Sequence, residues 1–270
     1  MDIYLTMNLF TDKNSTLNYD DYASTIEYEM RKKSYNYDLF VYDPLNVKRY
    51  SPYLEDLRKW LPKEHLDKYD AGDSRKICTY NGEWLALPIF LKYMVLYSNN
   101  YYLKKYNITI PKTWDELINK TEYILNEENK LNNNDNLIGY NGLFPDEIFQ
   151  SDESFNFLAL MNKNILFSNF WDPVQDLDYT ISLMPGNIDG INGSCMGGYI
   201  IGMANYIKEE NKKAAAEVLK YISSEDIQKN VIVKKVKTFT GLTTLYDDEE
   251  VKMYHHLHEV HRLKVQILQN

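Results

Sequence analysis

Asp43 is the first residue whose position suggests binding chemistry. It follows the apolar run of residues 38–42 and precedes Pro44, so it stands where a buried strand meets its loop. In open α/β sheets ligands bind beyond the carboxyl ends of the strands, and an aspartate there can accept hydrogen bonds from two hydroxyl groups. The same side chain can instead cap the turn before Pro44. Both roles stay open for Asp43.

Histidines are concentrated near the end of the chain, where four of the five fall within residues 255–261. On a helix, His255, His258 and Glu259 would share one face, a spacing that can bind zinc or nickel. No neighbouring segment supplies a second set of ligands, and an exposed polar helix accounts for the run. We therefore expect no metal site and no organic cofactor.

The chain has none of the short motifs that mark hydrolytic sites, since neither G-x-S-x-G nor H-E-x-x-H occurs. Cys78 and Cys195 are far apart and have no histidine partner in sequence; one disulfide and two free thiols are both open. The acidic residues form no recognisable catalytic frame. We predict that the chain is not an enzyme, with a glycosidase as the enzymatic alternative.

Composition excludes one class of partner. The net charge of −9 argues against nucleic acid, because phosphate backbones require a concentrated basic patch. No segment approaches the roughly 20 apolar residues of a membrane span, and the N-terminus lacks a basic segment followed by an apolar core. The sequence therefore predicts neither a transmembrane segment nor a signal peptide in this chain.

Alternating strand and helix patterns predict an α/β fold with mainly parallel sheets. Strands are predicted at residues 3–7, 38–42, 84–89, 94–97, 179–184 and 199–203, and helices at 20–33, 53–61, 114–128, 155–161, 211–222 and 223–232. Thr113 and Glu116 form a capping box at the start of one helix. Trp114, in the first turn of that helix, is interpreted as a core anchor.

Four segments, in order, resemble the extracellular solute-binding family that includes the maltodextrin-binding proteins. They are residues 37–43 (YDLFVYD), 80–88 (YNGEWLALP) followed by 96–99 (LYSN), 110–117 (IPKTWDEL), and 197–203 (GGYIIGM) followed by 223–228 (SSEDIQ). Any one of them could arise in another fold. Their order and separations make the resemblance extend over most of the chain.

The resemblance implies a two-lobed α/β fold of the periplasmic-binding-protein type II, with crossing hinge strands and a solute held in the cleft between the lobes. It assigns residues 1–96 and 199–231 to lobe I, 97–198 to a shortened lobe II, and 232–270 to a C-terminal segment near the hinge. The family's first strand and helix, and several second-lobe helices, have no counterpart here. The chain is therefore expected to be a truncated member.

The same resemblance implies a set of ligand-binding residues. They are Asp43, Phe90, Lys92, Trp171, Gly197, Gly198 and Tyr199. Phe90 would stack on a sugar ring or pack against the hinge, and Trp171 would be a stacking platform or a core residue. Tyr199 takes the place of an aromatic that faces the cleft. Gly197 and Gly198 would supply hinge dihedrals or let backbone amides approach a ligand.

The function implied by the resemblance is non-catalytic binding of a small solute, with a carbohydrate as the expected ligand, at an extracellular or cell-surface location. The implied protein partner is a membrane receptor or transporter module. Residues 191–199 (INGSCMGGY) and 245–251 (LYDDEEV) resemble a eukaryotic branch that precedes a seven-helix receptor of the metabotropic γ-aminobutyrate type. A fragment of such a receptor and a degenerate domain without ligand are the alternatives.

Overall fold

A computed structural model describes residues 3–9, 22–131, 136–142, 153–172 and 177–253. The α-helices of this part of the chain are α1 Tyr22–Arg31, α2 Val47–Tyr50, α3 Lys63–Asp67, α4 Asp73–Cys78, α5 Asn100–Lys105, α6 Trp114–Lys130, α7 Glu153–Met161, α8 Glu209–Ile222 and α9 Glu249–Lys252. The strands are β1 Leu39–Tyr42, β2 Thr79–Tyr80, β3 Glu83–Trp84, β4 Leu87–Asn99, β5 Ile138–Asn141, β6 Ile165–Asp172, β7 Tyr179–Ser182 and β8 Met196–Met203. Ile227–Val233 form a π-helix.

The chain folds into two compact units. The described residues within Met1–Leu91 and Gly197–Tyr254 form unit 1, and those within Lys92–Met196 form unit 2. Strand β4 begins in unit 1 and continues into unit 2, and β8 begins with the last residue of unit 2.

In unit 1, β1 pairs antiparallel with β8, and β2 pairs antiparallel with β3. The first residues of β4 are fixed by hydrogen bonds from the C-terminal part of the unit. Leu91 N donates to Phe239 O at 2.8 Å, and the buried Gln228 donates through Nε2 to Ile89 O at 3.1 Å. The residues that precede unit 2 along the chain are therefore anchored in the core of unit 1.

In unit 2, β4 pairs antiparallel with β6 and β7, while β5 pairs parallel with β6. Helix α6 begins as the sequence predicts: Glu116 N donates to Thr113 Oγ1 at 3.2 Å, and Glu116 Oε2 accepts from Lys112 N at 3.1 Å. Trp114 packs partly buried against the hydrophobic core, edge-to-face with Tyr140. Its interpretation as a core anchor is confirmed.

The strand predicted at residues 3–7 is wrong. Residues 3–9 have no regular secondary structure, and Tyr4 and Met7 are 92% and 86% exposed. A β-branched and apolar run forms a strand only when a neighbouring strand accepts its backbone hydrogen bonds, and local sequence does not supply that neighbour.

Two further predictions need correction. The expected mainly parallel sheet is wrong, because only the β5–β6 pair is parallel among the strand pairs whose register is defined. An apolar run indicates burial on both faces but does not fix strand direction. The helix expected at residues 53–61 is reduced to 3₁₀ turns at Ser51–Tyr53 and Leu57–Lys59. The separate strands expected at residues 84–89 and 94–97 are largely joined in one continuous strand, β4.

Candidate functional site

Asp43 and Tyr199 both adjoin one end of the β1–β8 pair. The register ends with Tyr42 opposite Ile200, Asp43 follows Tyr42, and Tyr199 precedes Ile200. Asp43 is half-buried, and Tyr199 is 43% exposed. A carboxylate and an exposed aromatic ring therefore share this end of the strand pair.

Phe90 on β4 packs against the ring of Tyr199. The ring centroids are 5.5 Å apart and the ring planes are inclined by 70°, the edge-to-face arrangement that aromatic pairs favour. Phe90 is half-buried. Phe90 therefore packs against Tyr199 and orients its ring. Packing of Phe90 against the hinge and its stacking on a solute both stay predictions.

Gly198 allows β8 to approach β4 at this point. Its φ is +116°, which side-chain-bearing residues rarely adopt, and a Cβ placed on it would lie 2.3 Å from the carbonyl oxygen of Phe90. Gly197 beside it is buried. Gly198 thus combines a positive φ with a close approach to β4, whereas the hinge role and the approach to a ligand expected for the two glycines stay predictions.

Tyr22 on α1 completes the cluster and was missed by the sequence analysis. Its hydroxyl donates to Val41 O at 2.6 Å, and its pKa is raised by burial and by the proximity of Tyr199. Tyr22 is 38% exposed, whereas Ile26, four residues later on the same helix, is 1% exposed. Only the tertiary fold brings Tyr22 to Tyr199. We call Tyr22, Asp43, Phe90 and Tyr199 the unit 1 aromatic group.

Asp43 caps the 3₁₀ turn Pro44–Asn46. Its Oδ1 accepts a hydrogen bond from Leu45 N at 2.8 Å, so the turn-capping role left open by the sequence is present. Among the described residues no hydrogen bond reaches Oδ2. One oxygen of this half-buried carboxylate thus retains its full capacity to accept a ligand hydrogen bond.

In unit 2, Lys92 and Trp171 lie on one face of the β4–β6 pair. Met94 is directly opposite Trp171, and alternation along β4 places Lys92 on the same face. These side chains are half-buried, whereas Tyr93 and Val95 on the other face are buried. The fold therefore brings together two of the predicted binding residues in unit 2, and Asp43, Phe90, Gly197, Gly198 and Tyr199 in unit 1.

The described residues show the state of the two thiols. Cys78 is buried, Cys195 is exposed, and both are free thiols rather than a disulfide. Within the described ranges, no group of three or more His, Cys, Asp or Glu side chains could hold a metal ion. The histidine run at 255–261 lies outside the described residues.

A separate property concerns the membrane. Among the helices of the described residues, none has the length and apolar character needed to cross a bilayer.

Solved structures similar to this chain include proteins described with a sugar or a polyol. Maltose-bound MalE3 of T. maritima has 16% sequence identity and a TM-score of 0.72, with 90% of this chain and 76% of that chain covered. The cyclic α-maltosyl-1,6-maltose binding protein of Arthrobacter globiformis has 13% identity and a TM-score of 0.69, with the same shares covered. A transporter solute-binding protein of Agrobacterium radiobacter in complex with ribitol has 16% identity and a TM-score of 0.65, with 93% and 78% covered.

These structural likenesses establish the two-lobed α/β fold that the sequence resemblance implied. A comparison with curated protein sequences found no match. Nothing in the comparisons supports the metabotropic-receptor branch suggested by residues 191–199 and 245–251. The sequence pattern of the bacterial extracellular solute-binding proteins matches residues 13–229, which is well over half of the chain. The chain therefore belongs to the bacterial extracellular solute-binding protein family.

Proposed function

We propose that the chain binds a carbohydrate or polyol, without catalysis, through aromatic surfaces on each of its two units. The observation that carries the proposal is the unit 1 aromatic group. There the 43% exposed ring of Tyr199 is held edge-to-face by Phe90 and lies beside Asp43 and Tyr22.

This group suits the two kinds of surface that a sugar presents. The C–H groups on the face of a sugar ring can stack on Tyr199, because an aromatic face buries a large apolar area in such a contact. The hydroxyl groups at the rim can donate to Asp43, because an ionised carboxylate only accepts hydrogen bonds. Since Oδ1 is already used by Leu45 N, Oδ2 is the oxygen that we assign to the solute.

In unit 2 we assign the stacking role to Trp171 and the donor role to Lys92. Both lie on one face of the β4–β6 pair and are half-buried. The ammonium group of Lys92 carries three donors and no acceptor, so it can donate to the hydroxyl oxygens of a solute. Gly197 and Gly198 are assigned a backbone role rather than direct contact with the solute.

The comparisons support the class of ligand. Similar solved structures are described with maltose, with a cyclic maltosyl-maltose and with ribitol, which include both ring and open-chain polyhydroxy compounds. We further propose that units 1 and 2 are the two lobes of the family, with the chain passing between them near residues 92 and 197. The location that we propose is extracellular, with a membrane transporter module as the protein partner.

The residues of the unit 1 aromatic group argue for binding rather than turnover. Glycoside hydrolysis uses two carboxyl groups that flank the scissile bond, typically about 5–9.5 Å apart. The group contains a single carboxylate, Asp43, and one of its oxygens is held by the turn that it caps. A lone acceptor carboxylate can orient a hydroxyl group but cannot supply both the acid and the base.

A thermal-shift screen tests the proposed function. The purified chain is melted with maltose, maltotriose, ribitol and mannitol, and with glycine and glutamate as controls. A ligand at about 100 times its Kd stabilises the native state by about 2.7 kcal/mol, which corresponds to about 5 °C in Tm. We expect a concentration-dependent rise for a sugar or polyol. A cooperative melt that none of the sugars and polyols shifts, or a rise with the amino acids alone, would contradict the proposal.

A further inference from the structure

Asp172 is a buried carboxyl group that has no role in the proposed binding of a solute. It is the last residue of β6, it lies directly opposite Tyr93 of β4, and its side chain is 0% exposed. Among the described residues, no donor meets full hydrogen-bond geometry at either carboxylate oxygen, although the Tyr97 hydroxyl is near enough to act on the carboxyl as a hydrogen-bond donor and to lower its pKa. A charged carboxylate in such a site is costly, so the neutral acid is favoured.

The hydroxyl of Tyr97 connects this carboxyl to Trp171. Tyr97 lies on the same face of β4 as Tyr93 and donates to Trp171 O at 3.2 Å. A phenol hydroxyl has one proton to donate, and an ionised carboxylate is a stronger acceptor than a backbone carbonyl. Ionisation of Asp172 therefore attracts the Tyr97 hydroxyl and competes with its bond to the Trp171 carbonyl.

The surroundings place this ionisation in an accessible pH range. Burial raises the pKa of Asp172 to about 7, and Tyr97 acts in the opposite direction. The titratable groups that face Asp172 from β4 are the phenols of Tyr93 and Tyr97. Helix α7, which also packs on β6, has no titratable side chain from Phe155 to Met161, and no described lysine, arginine or histidine contributes to the shift.

We propose that Asp172 and Tyr97 are a positioning pair that sets the orientation of Trp171 according to whether the Asp172 carboxyl is protonated. This inference rests on the proposed function, because Trp171 is the stacking residue assigned to unit 2. The protonated carboxyl leaves Tyr97 bonded to the Trp171 carbonyl and keeps the end of β6 in place. The ionised carboxyl attracts the Tyr97 hydroxyl away from the Trp171 carbonyl. Loss of that hydrogen bond favours movement of the strand end toward water.

The consequence for binding has a defined sign. Solute affinity is higher when Asp172 is protonated and falls as the pH rises. If only the protonated form binds, the apparent Kd is divided by the protonated fraction, so affinity drops about ten-fold between pH 6 and pH 8. Asp172→Asn keeps a neutral side chain of the same shape and removes this dependence.

The test is fluorine NMR of the full chain labelled with 5-fluorotryptophan, without ligand, from pH 5 to pH 9. The Trp171 resonance is assigned by its loss in Trp171→Phe. We expect it to shift with a midpoint near pH 7 in the native chain, to stay constant in Asp172→Asn, and to shift much less in Tyr97→Phe. A native resonance that does not titrate, or the same titration in Asp172→Asn, would overturn the pair.

Two controls keep the outcome unambiguous. If Asp172→Asn does not fold, a carboxyl-¹³C aspartate titration of the native chain replaces it, and the absence of any aspartate with a midpoint above pH 6 overturns the proposal. Maltose titrations at pH 6 and pH 8 separate the two claims. Equal affinity at both values overturns the positioning pair alone, whereas a titrating Trp171 in a chain that binds no sugar overturns the proposed function alone.

Discussion

At the scale of single residues, the exposed face of Tyr199 depends on its neighbours along β8. Gly198 and Ile200 are buried on either side, so the alternation of the strand turns Tyr199 outward. Phe90 then fixes the ring edge-to-face, which lowers the entropy that Tyr199 would lose on contact with a ligand. An aromatic held in this way is suited to act as a binding residue rather than as a loose surface side chain.

The buried carboxyl of Asp172 predicts how the stability of the fold depends on pH. Its native pKa of about 7 lies above the unfolded value of about 3.9. The carboxyl therefore contributes fully to stability below about pH 4, and that contribution is lost as the pH rises through about 7. The free energy of unfolding of the native chain, minus that of Asp172→Asn, should fall by about 4 kcal/mol between pH 4 and pH 8. Urea denaturation at both pH values measures it.

The control for this prediction is Asp189→Asn. Asp189 is an exposed aspartate of the same unit whose ion pair with Lys112 has both side chains more than half exposed. Such a pair contributes little to stability, about 0–1 kcal/mol. An equal pH dependence in the two variants would mean that Asp172 titrates as an ordinary carboxyl group.

At the scale of elements, the sequence predicted what local signals determine. Helix α6 was predicted because its start is encoded in a few adjacent residues, Thr113 and Glu116 above all. The direction of β1 was not, since strand direction depends on β8, more than 150 residues later. The contribution of Tyr22 to the candidate site was missed for the same reason, because its contact with Val41 links a helix to a strand that follows it.

Because β8 lies close to β4 at Gly198, a methyl group at this position should lower the free energy of unfolding. In Gly198→Ala the added Cβ meets the carbonyl of Phe90 at 2.3 Å, and φ is +116°. Backbone strain and overpacking together should lower the free energy of unfolding by about 3 kcal/mol. Chemical denaturation of the purified variant checks the value.

Substitutions at two other glycines separate the effect of the positive φ from that of the close contact with Phe90. Gly190 has a φ of +83° with no atom near its Cβ position, and Gly193 has open space and no positive φ. Gly190→Ala should cost about 1 kcal/mol from the dihedral alone, and Gly193→Ala close to nothing. If Gly198→Ala is no worse than Gly190→Ala, the close contact with Phe90 does not constrain the fold.

At the scale of the whole molecule, we propose that each unit carries part of the binding surface. We propose Asp43 and Tyr199 as the binding residues of unit 1, and Lys92 and Trp171 as those of unit 2. The chain belongs to the solute-binding family, and solved structures similar to it share its two-lobed α/β fold. The sequence resemblance identified the family from four short segments, whereas the surroundings of each residue required the three-dimensional fold.

The most direct measurement is calorimetric titration of the native chain and three variants with the sugar that gives the largest thermal shift. The variants are Tyr199→Ala in unit 1, Trp171→Ala in unit 2, and Tyr221→Ala, which removes a 66% exposed tyrosine outside both surfaces. Loss of a binding aromatic typically costs about 2 kcal/mol or more, so Tyr199→Ala and Trp171→Ala should each raise Kd about 30-fold. Tyr221→Ala should bind like the native chain. Undiminished binding by a folded Tyr199→Ala or Trp171→Ala variant would contradict the claim that both units contact the solute.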